Sequence, residues 1–238
     1  MRGHDQLQAS ESCQPDSLKA SEHFRHLSPA AAKDFDAAAI SASYPAGAVL
    51  FIEKQDARGV FLLSSGSVKL SVSSSGGKTL ILRIAKPGEI LGLMSTMSGA
   101  PYEVTAETLH PCHVSFVLRR HFLQFVAKHA EAYKGVVNQL SALYSGACEQ
   151  LRTVGLSATV PEKLARMLLE WSAGAKPSLS GSKFILPLTH EEIAEFIGTS
   201  RESVTRALSD FRSRDLVALH GATLTIANRP ALESVAGA

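Results

Sequence analysis

The side chains best able to do chemistry in this sequence lie close together: Arg201, Glu202, Thr205 and Arg206, within Gly198-Thr-Ser-Arg-Glu-Ser-Val-Thr-Arg-Ala-Leu208. A guanidinium presents two donors in one plane, which matches guanine O6 and N7. A carboxylate accepts from cytosine N4, and a threonine methyl and hydroxyl suit a thymine. The pattern therefore suits the reading of base edges. The competing reading is an ordinary solvated helix, because Glu202 and Arg206 are also spaced i, i+4 as an ion pair would be.

Two short helices must position these groups. Thr189 is placed to cap the first, and Glu192 three residues on completes a capping box. Ile193, Ala194 and Ile197 form its inward face, and Ala194 is small enough for close helix approach. Gly198 permits a sharp turn. Ser200 caps the second helix, which Val204 and Leu208 anchor at i and i+4. That leaves Arg201, Glu202, Thr205 and Arg206 on the opposite face at the helix N-terminus, where a recognition helix touches bases. Leu216–Leu219 and Thr223–Ile226 flank His220-Gly221-Ala222 as a small hairpin, a wing. From residue 159 to 238 there are nine Lys+Arg and nine Asp+Glu, so the basic charge is local to the second helix. Modest non-specific affinity and reliance on dimeric, base-specific contact follow.

Further upstream the texture differs. Residues 1–22 read as a loose polar tail, and a helix starts at Ser28-Pro29 and runs to Ile40. From Tyr44 to Phe116 short strands alternate with glycine turns, among them Val60–Leu63, Val68–Val72, Thr79–Ile84, Val104–Thr108 and Cys112–Val117. Strands at this density predict a barrel or sandwich. Tyr133, Val137, Leu140, Tyr144, Ala147, Leu151 and Val154 then follow at spacings 4, 3, 4, 3, 4, 3, a heptad seam for a two-stranded coiled coil. A long helix lying on its own barrel is the alternative. Glu162–Trp171 is an amphipathic helix, and Phe184–Leu188 a short strand.

Composition excludes several classes. Lys+Arg is 24 and Asp+Glu 22, a net charge of +2, unlike a histone-like basic protein or an acidic tail. Cys13, Cys112 and Cys148 lie far apart, so one chain can form neither a disulfide framework nor a closed four-cysteine metal site, and they read as reduced thiols. No apolar run approaches the ~18 residues of a membrane span, and no secretory signal is visible, which points to the cytoplasm. No nucleophile–base constellation, phosphate loop or metal-ligand spacing suggests an enzyme.

The order of parts resembles the cyclic AMP receptor protein/FNR family of bacterial transcription regulators from Leu27 to Ile226, most strongly over Thr189–Arg206. The barrel carries the likeness through Gly47, Gly66-Ser67-Val68, Gly77-Lys78, Pro87-Gly88-Glu89 and Gly92. The resemblance implies an α+β fold with four parts. These are a tail (1–22), a cyclic-nucleotide-binding-type β-barrel or jelly roll that senses an effector (23–128), a dimerisation helix (129–157) and a winged helix-turn-helix (158–238). It implies a homodimer on a palindromic double-stranded operator, with RNA polymerase as a further partner and no membrane. Arg201, Glu202 and Arg206 match base-reading positions, with Thr205 beside them where the receptor protein has Gly. Thr189, Ser200, Ser203 and His220 match backbone-contacting positions.

The sensor half departs from the family pattern. The effector pocket would involve Gly92, Leu93, Met94, Tyr102 and Glu103. The family's cyclic-nucleotide cassette binds ribose with a Gly-Glu pair and the cyclic phosphate with an Arg-Ser pair. Here Leu93 follows Gly92, and Glu103-Val104 stands at the Arg-Ser position, where a carboxylate repels a phosphate. Cyclic AMP in the usual mode is therefore not expected, and a small molecule, gas or redox signal takes its place. The FNR branch holds an iron–sulfur cluster on four cysteines, which this chain cannot assemble. Haem is the remaining cofactor option, with His23, His26, His110 and His113 in or beside the barrel. A haem- or redox-responsive regulator is one alternative. A cyclic-nucleotide-binding regulatory or scaffold protein is another, although such a docking helix would expose apolar residues where Arg201, Glu202 and Arg206 stand.

Overall fold

The computed structural model describes residue 18 and residues 21–156, 159–172, 177–178 and 181–237. Cys13 lies outside the described residues, as does most of the expected tail and part of the 173–182 loop. The chain forms two compact units, one of residues 1–70 and 84–143, the other of 71–83 and 144–238.

In the first unit Ser28 caps α1 (Pro29–Ala38) by accepting from the Ala31 N–H at 3.2 Å. The helix stops short of the expected Ile40, because Ala39 turns extended and pairs with Val117. Residues 39–44 are instead β1 (Ala39–Tyr44). After it in the chain come β2 (Val49–Phe51), β3 (Gly59–Ser65), β4 (Val68–Ser73), β5 (Thr79–Ala85) and β6 (Ile90–Leu91), with residues 71–83 of β4, β5 and their connection clustering with the other unit. Helix α2 (Leu93–Ser98) separates these from β7 (Thr105–Thr108) and β8 (Cys112–Leu118). The strands form two four-stranded sheets, ordered β1-β8-β3-β6 and β2-β7-β4-β5, which make the expected barrel-type domain. The Pro87-Gly88 turn is a type II turn: Gly88 takes φ 92 and the Glu89 N–H reaches the Lys86 carbonyl at 3.2 Å.

Two apolar clusters hold this unit. One fills the barrel with Phe51, Phe61, Leu63, Leu91, Tyr102 and Val114, among others. The other packs helices on the barrel wall and includes Leu18, Phe24, Phe35, Val60, Leu62, Leu93, Phe122 and Val136. Leu18 and Ser21 are each only 1% exposed, so the loose-tail reading of 1–22 is corrected at that end. An apolar leucine among polar neighbours gave no periodicity to reveal it.

Helices α3 (Arg119–Lys128) and α4 (Ala130–Leu156) follow. Ala132, Gly135, Val136 and Gln139 lie on one face of α4 and are buried. Gly135 permits this close approach, since a β-carbon there would stand 2.5 Å from the Phe24 ring. Gln139, 1% exposed, donates from Nε2 to the Ile90 carbonyl at 2.7 Å and accepts the Ile90 N–H on Oε1 at 3.2 Å. Its amide thus completes the hydrogen bonding of β6 as a neighbouring strand would. The face carrying the heptad seam behaves differently: Tyr133, Val137, Tyr144, Ala147 and Leu151 are exposed. Leu140 and Val154 are half-buried, and Leu140 packs against its own core, so the seam is not uniform.

The second unit is built on α5 (Val160–Ser172), which buries Leu164, Ala165, Met167 and Leu168. Strands β9 (Pro177–Ser178) and β10 (Gly181–Ile185) precede α6 (His190–Ile197) and α7 (Arg201–Ser213). The strand expected at Phe184–Leu188 ends three residues early, before Pro187, which cannot donate to a ladder. Strands β11 (Val217–His220) and β12 (Thr223–Ile226) form the expected wing, in a sheet ordered β11-β12-β10-β9, and α8 (Arg229–Val235) closes the unit. The Trp171 and Phe196 rings meet edge to face at 5.6 Å, joining α5 to α6.

Replacing Gln139 with Met keeps the volume but strands the Ile90 N–H and carbonyl. A loss of about 2–4 kcal/mol is expected for two buried unsatisfied groups. Chemical denaturation followed by a barrel-domain probe would measure it, and an unchanged midpoint would show the amide to be dispensable.

Candidate nucleic-acid interface

The helix pair is defined by its caps. Thr189 Oγ1 accepts the Glu192 N–H at 3.2 Å, and Glu192 Oε2 accepts the Thr189 N–H at 2.9 Å, the reciprocal capping box expected. Gly198 ends α6 at φ 68, a left-handed conformation that L side chains rarely adopt. Ser200 then opens α7 by accepting the Ser203 N–H at 3.3 Å. Ile193, Ala194 and Ile197 of α6 and Val204, Ala207, Leu208 and Phe211 of α7 are buried against each other and α5. Gln150 adds a bond from Nε2 to the Phe196 carbonyl at 2.7 Å.

Burial of that face leaves the opposite one open. Arg201, Glu202, Thr205 and Arg206 are all exposed in the first two turns of α7. The anticipated Glu202–Arg206 pairing is not what Arg206 does: its Nη2 reaches Ser203 Oγ at 3.4 Å. The Glu202 carboxyl is held below the usual carboxylate value by its own backbone N–H and the Ser200 hydroxyl, with the Arg201 and Arg206 charges adding to this. It is therefore a stable anion at a helix N-terminus, an acceptor with no proton to give. Thr205 is less free than its exposure suggests. Its hydroxyl lies 3.0 Å from the Arg201 carbonyl and 3.0 Å from His190 Nδ1. His190 was not among the expected site residues, and nothing in the sequence spacing marks it.

The backbone-contacting candidates surround this face. Thr189 and Ser200 are exposed at the two helix starts, and Ser203 is half-buried. His220 is exposed at the wing tip, opposite Thr223 across a two-residue turn whose Gly221 takes φ 59.

The expected effector residues lie around the start of α2, where a β-carbon at Gly92 would stand 2.7 Å from the Tyr102 ring. Gly92 caps α2 at φ 68, Leu93 is buried in the helix-side cluster and Met94 is exposed. Tyr102 fills the barrel interior, stacked on Phe51 at 4.1 Å, and its hydroxyl donates to the Gly59 carbonyl at 2.8 Å. Burial pushes its phenol up from the ordinary value. Glu103 is exposed and accepts from the Ser95 hydroxyl, so its carboxylate points back at α2.

Of the four histidines offered for haem, three are at the surface. His110 and His113 are exposed, with their Nδ1 atoms 2.7 Å and 2.8 Å from the Ser67 and Ser43 hydroxyls, and His26 is exposed too. His23 is half-buried, and its backbone carbonyl lies against Gly135. Among the described residues no group of three or more His, Cys, Asp or Glu could hold a metal ion. Cys112 is buried, and burial raises its thiol above the ordinary value, which suits packing rather than reactivity.

Two family descriptions match parts of the chain. Residues 41–129 match the family described as the cyclic nucleotide-binding domain, and residues 162–235 match the Crp-like helix-turn-helix domain. The chain is 29% identical to the anaerobic regulatory protein of Bacillus subtilis over 175 residues, covering 71% of this chain and 72% of that protein. It is 25% identical over 186 residues to the CRP-like cAMP-activated global transcriptional regulator of Mycobacterium tuberculosis, covering 78% and 83%. In fold it is similar to FixK2 from Bradyrhizobium japonicum, with TM-score 0.73 and 23% identity over 84% of this chain and 98% of that one.

Replacing Ser200 with Ala should cost about 1 kcal/mol through the lost cap. It should also let the Glu202 pKa rise toward the ordinary carboxylate value. Folded pKa being depressed, any stabilisation from Glu202 is present above that range and lost as pH falls through it. Carboxyl titration by NMR in both proteins checks the shift; an identical titration would contradict the assigned cause.

Proposed function

Because the chain belongs to the cyclic AMP receptor protein/FNR family of bacterial transcription regulators, we propose that it acts as a homodimer that reads a palindromic operator through α7. The observation carrying this is the exposed cluster of Arg201, Glu202, Thr205 and Arg206 at the N-terminus of a helix whose other face is buried. Thr189, Ser200, Ser203 and His220 are its phosphate-backbone contacts. The working division is a sensor at 23–128, a dimerisation helix at 129–157 and a reader at 158–238. No helix among the described residues is long and apolar enough to cross a membrane, and we place the regulator in the cytoplasm with RNA polymerase as a partner.

The dimer reading draws on α4. Tyr144 is 74% exposed and Leu151 71%, large apolar groups at seam positions that a second copy would cover. Replacing both with Glu should give monomers that lose operator binding, with the barrel still folded. These two positions make a cleaner test than Leu140, which also packs on its own core. Sedimentation of a monomeric wild type at micromolar concentration would contradict the proposal.

The sensor is read as responding to a small molecule, gas or redox signal that repositions the helix-turn-helix. The Mycobacterium tuberculosis relative is named as cAMP-activated, but Leu93 and Glu103 replace both nucleotide anchors here, and Leu93 is in the core. No cyclic AMP binding stronger than about millimolar is expected, since losing a buried charge-assisted pair costs about 2–5 kcal/mol. Calorimetry returning a micromolar constant would refute this.

Specificity supplies the direct test. Two arginines suited to guanine and a glutamate suited to cytosine favour an inverted repeat with a G-T-G-A or related T-G-A core. Binding-site selection should recover it, and Arg206→Ala should cost about 1–3 kcal/mol and relax one base step. His220→Ala should instead weaken all sequences alike. A selected motif without two-fold symmetry, or one indifferent to Arg206→Ala, would remove α7 as the reader.

A further inference from the structure

We infer that His190 is a positioning residue for base reading, and that it makes Thr205 a reader of the thymine methyl group rather than a hydrogen-bond donor. The inference rests on the proposed DNA-binding function. Its basis is a chain of two hydrogen bonds. Thr205 Oγ1 is 3.0 Å from the Arg201 carbonyl oxygen, one turn back on α7, and 3.0 Å from His190 Nδ1 on α6. A carbonyl oxygen only accepts, so the single hydroxyl proton of Thr205 goes to Arg201. His190 Nδ1 therefore carries a hydrogen and donates it to Thr205 Oγ1. That fixes the imidazole tautomer in the neutral ring and is equally satisfied by the charged one.

The consequence concerns what Thr205 has left for DNA. Its proton is committed, so it cannot donate to guanine O6 or N7, adenine N7 or thymine O4. One lone pair is occupied by His190. The exposed remainder is the methyl group and one accepting lone pair. In the major groove a side-chain methyl is matched by the C5 methyl of thymine. Without His190 the hydroxyl loses a partner that holds it against the helix, and can turn outward. The bond also joins the first residue of α6 to the second turn of α7, so it depends on the angle that the Gly198 turn sets between the helices.

The test uses the full chain and the duplex recovered by binding-site selection. Each thymine of the half-site is replaced by deoxyuridine in both halves, which removes only the C5 methyl. One position should weaken wild-type binding by about 4-fold per half-site, or about 15-fold for both, the worth of a buried methyl group. Thr205→Ser should abolish the difference between thymine and deoxyuridine, whereas Thr205→Val should keep it, whatever its overall affinity. His190→Ala should shrink the ratio, and His190→Asn should restore it, because the Asn amide nitrogen can stand in for Nδ1. A merely structural role for His190 would change affinity for both duplexes equally. Equal wild-type binding of thymine and deoxyuridine duplexes at every position, or a ratio unaffected by Thr205→Ser or His190→Ala, would overturn the inference. Failure of the wild type to bind any selected duplex would overturn the underlying function instead, and the inference with it.

Discussion

The amide of Gln139 is the interaction on which the most depends. Two hydrogen bonds to one residue, Ile90, pin a buried polar side chain in the middle of an otherwise apolar helix face. Buried amides are costly unless fully paired, so this pairing fixes the rotation of α4 about its axis far more sharply than Ala132 or Val136 could. Once that rotation is fixed, Tyr133 and Val137 are left exposed on α4. The dimer proposed above would cover these groups with a second copy of the helix. The cost of exposing those groups in a monomer gives the proposed dimer its driving force.

The proposed reading face is arranged by a comparable economy. Packing buries Val204, Ala207, Leu208 and Phe211, and the side-chain oxygens of Thr189 and Ser200 cap the two helices while remaining exposed. What remains outward is charged or hydroxylated and concentrated in the first two turns of α7. The anionic Glu202 is favoured there by the helix N-terminus, and the two arginines keep the site attractive to phosphate. A face assembled this way offers donors and acceptors in fixed places rather than a broad positive surface, in keeping with a C-terminal region whose charges balance.

The helix-turn-helix was legible because its signals are local. A capping box needs residues three apart, and the turn needs one glycine; both are visible in Thr189–Glu192 and Gly198 without knowing the fold. The same holds for the wing and for the heptad spacing of α4. What could not be read was set by residues far apart in the chain. Gln139 meets Ile90 across 49 positions, and Gly135 is small because of Phe24. His190 meets Thr205 across 15 positions through a turn whose angle no spacing encodes. Strand β1 was missed for a different reason. Ile40-Ser41-Ala42-Ser43-Tyr44 does alternate apolar and polar residues, but it runs straight on from the Ala-rich helix, and Ile40 is 66% exposed, so the alternation does not mark a buried face at that position. The surroundings of the expected effector residues were equally illegible: Leu93 joins the helix-side apolar cluster and Tyr102 the barrel cluster.

Stoichiometry on DNA tests the central claim, a two-fold reader assembled by α4, most directly. Analytical ultracentrifugation of the full chain with a short labelled duplex carrying one selected inverted repeat gives the mass of the complex. The account predicts two chains per duplex, with no stable complex of one chain at any ratio and none on a duplex carrying a single half-site at comparable concentration. A complex of one chain per duplex, bound as tightly to a half-site as to the full repeat, would contradict it.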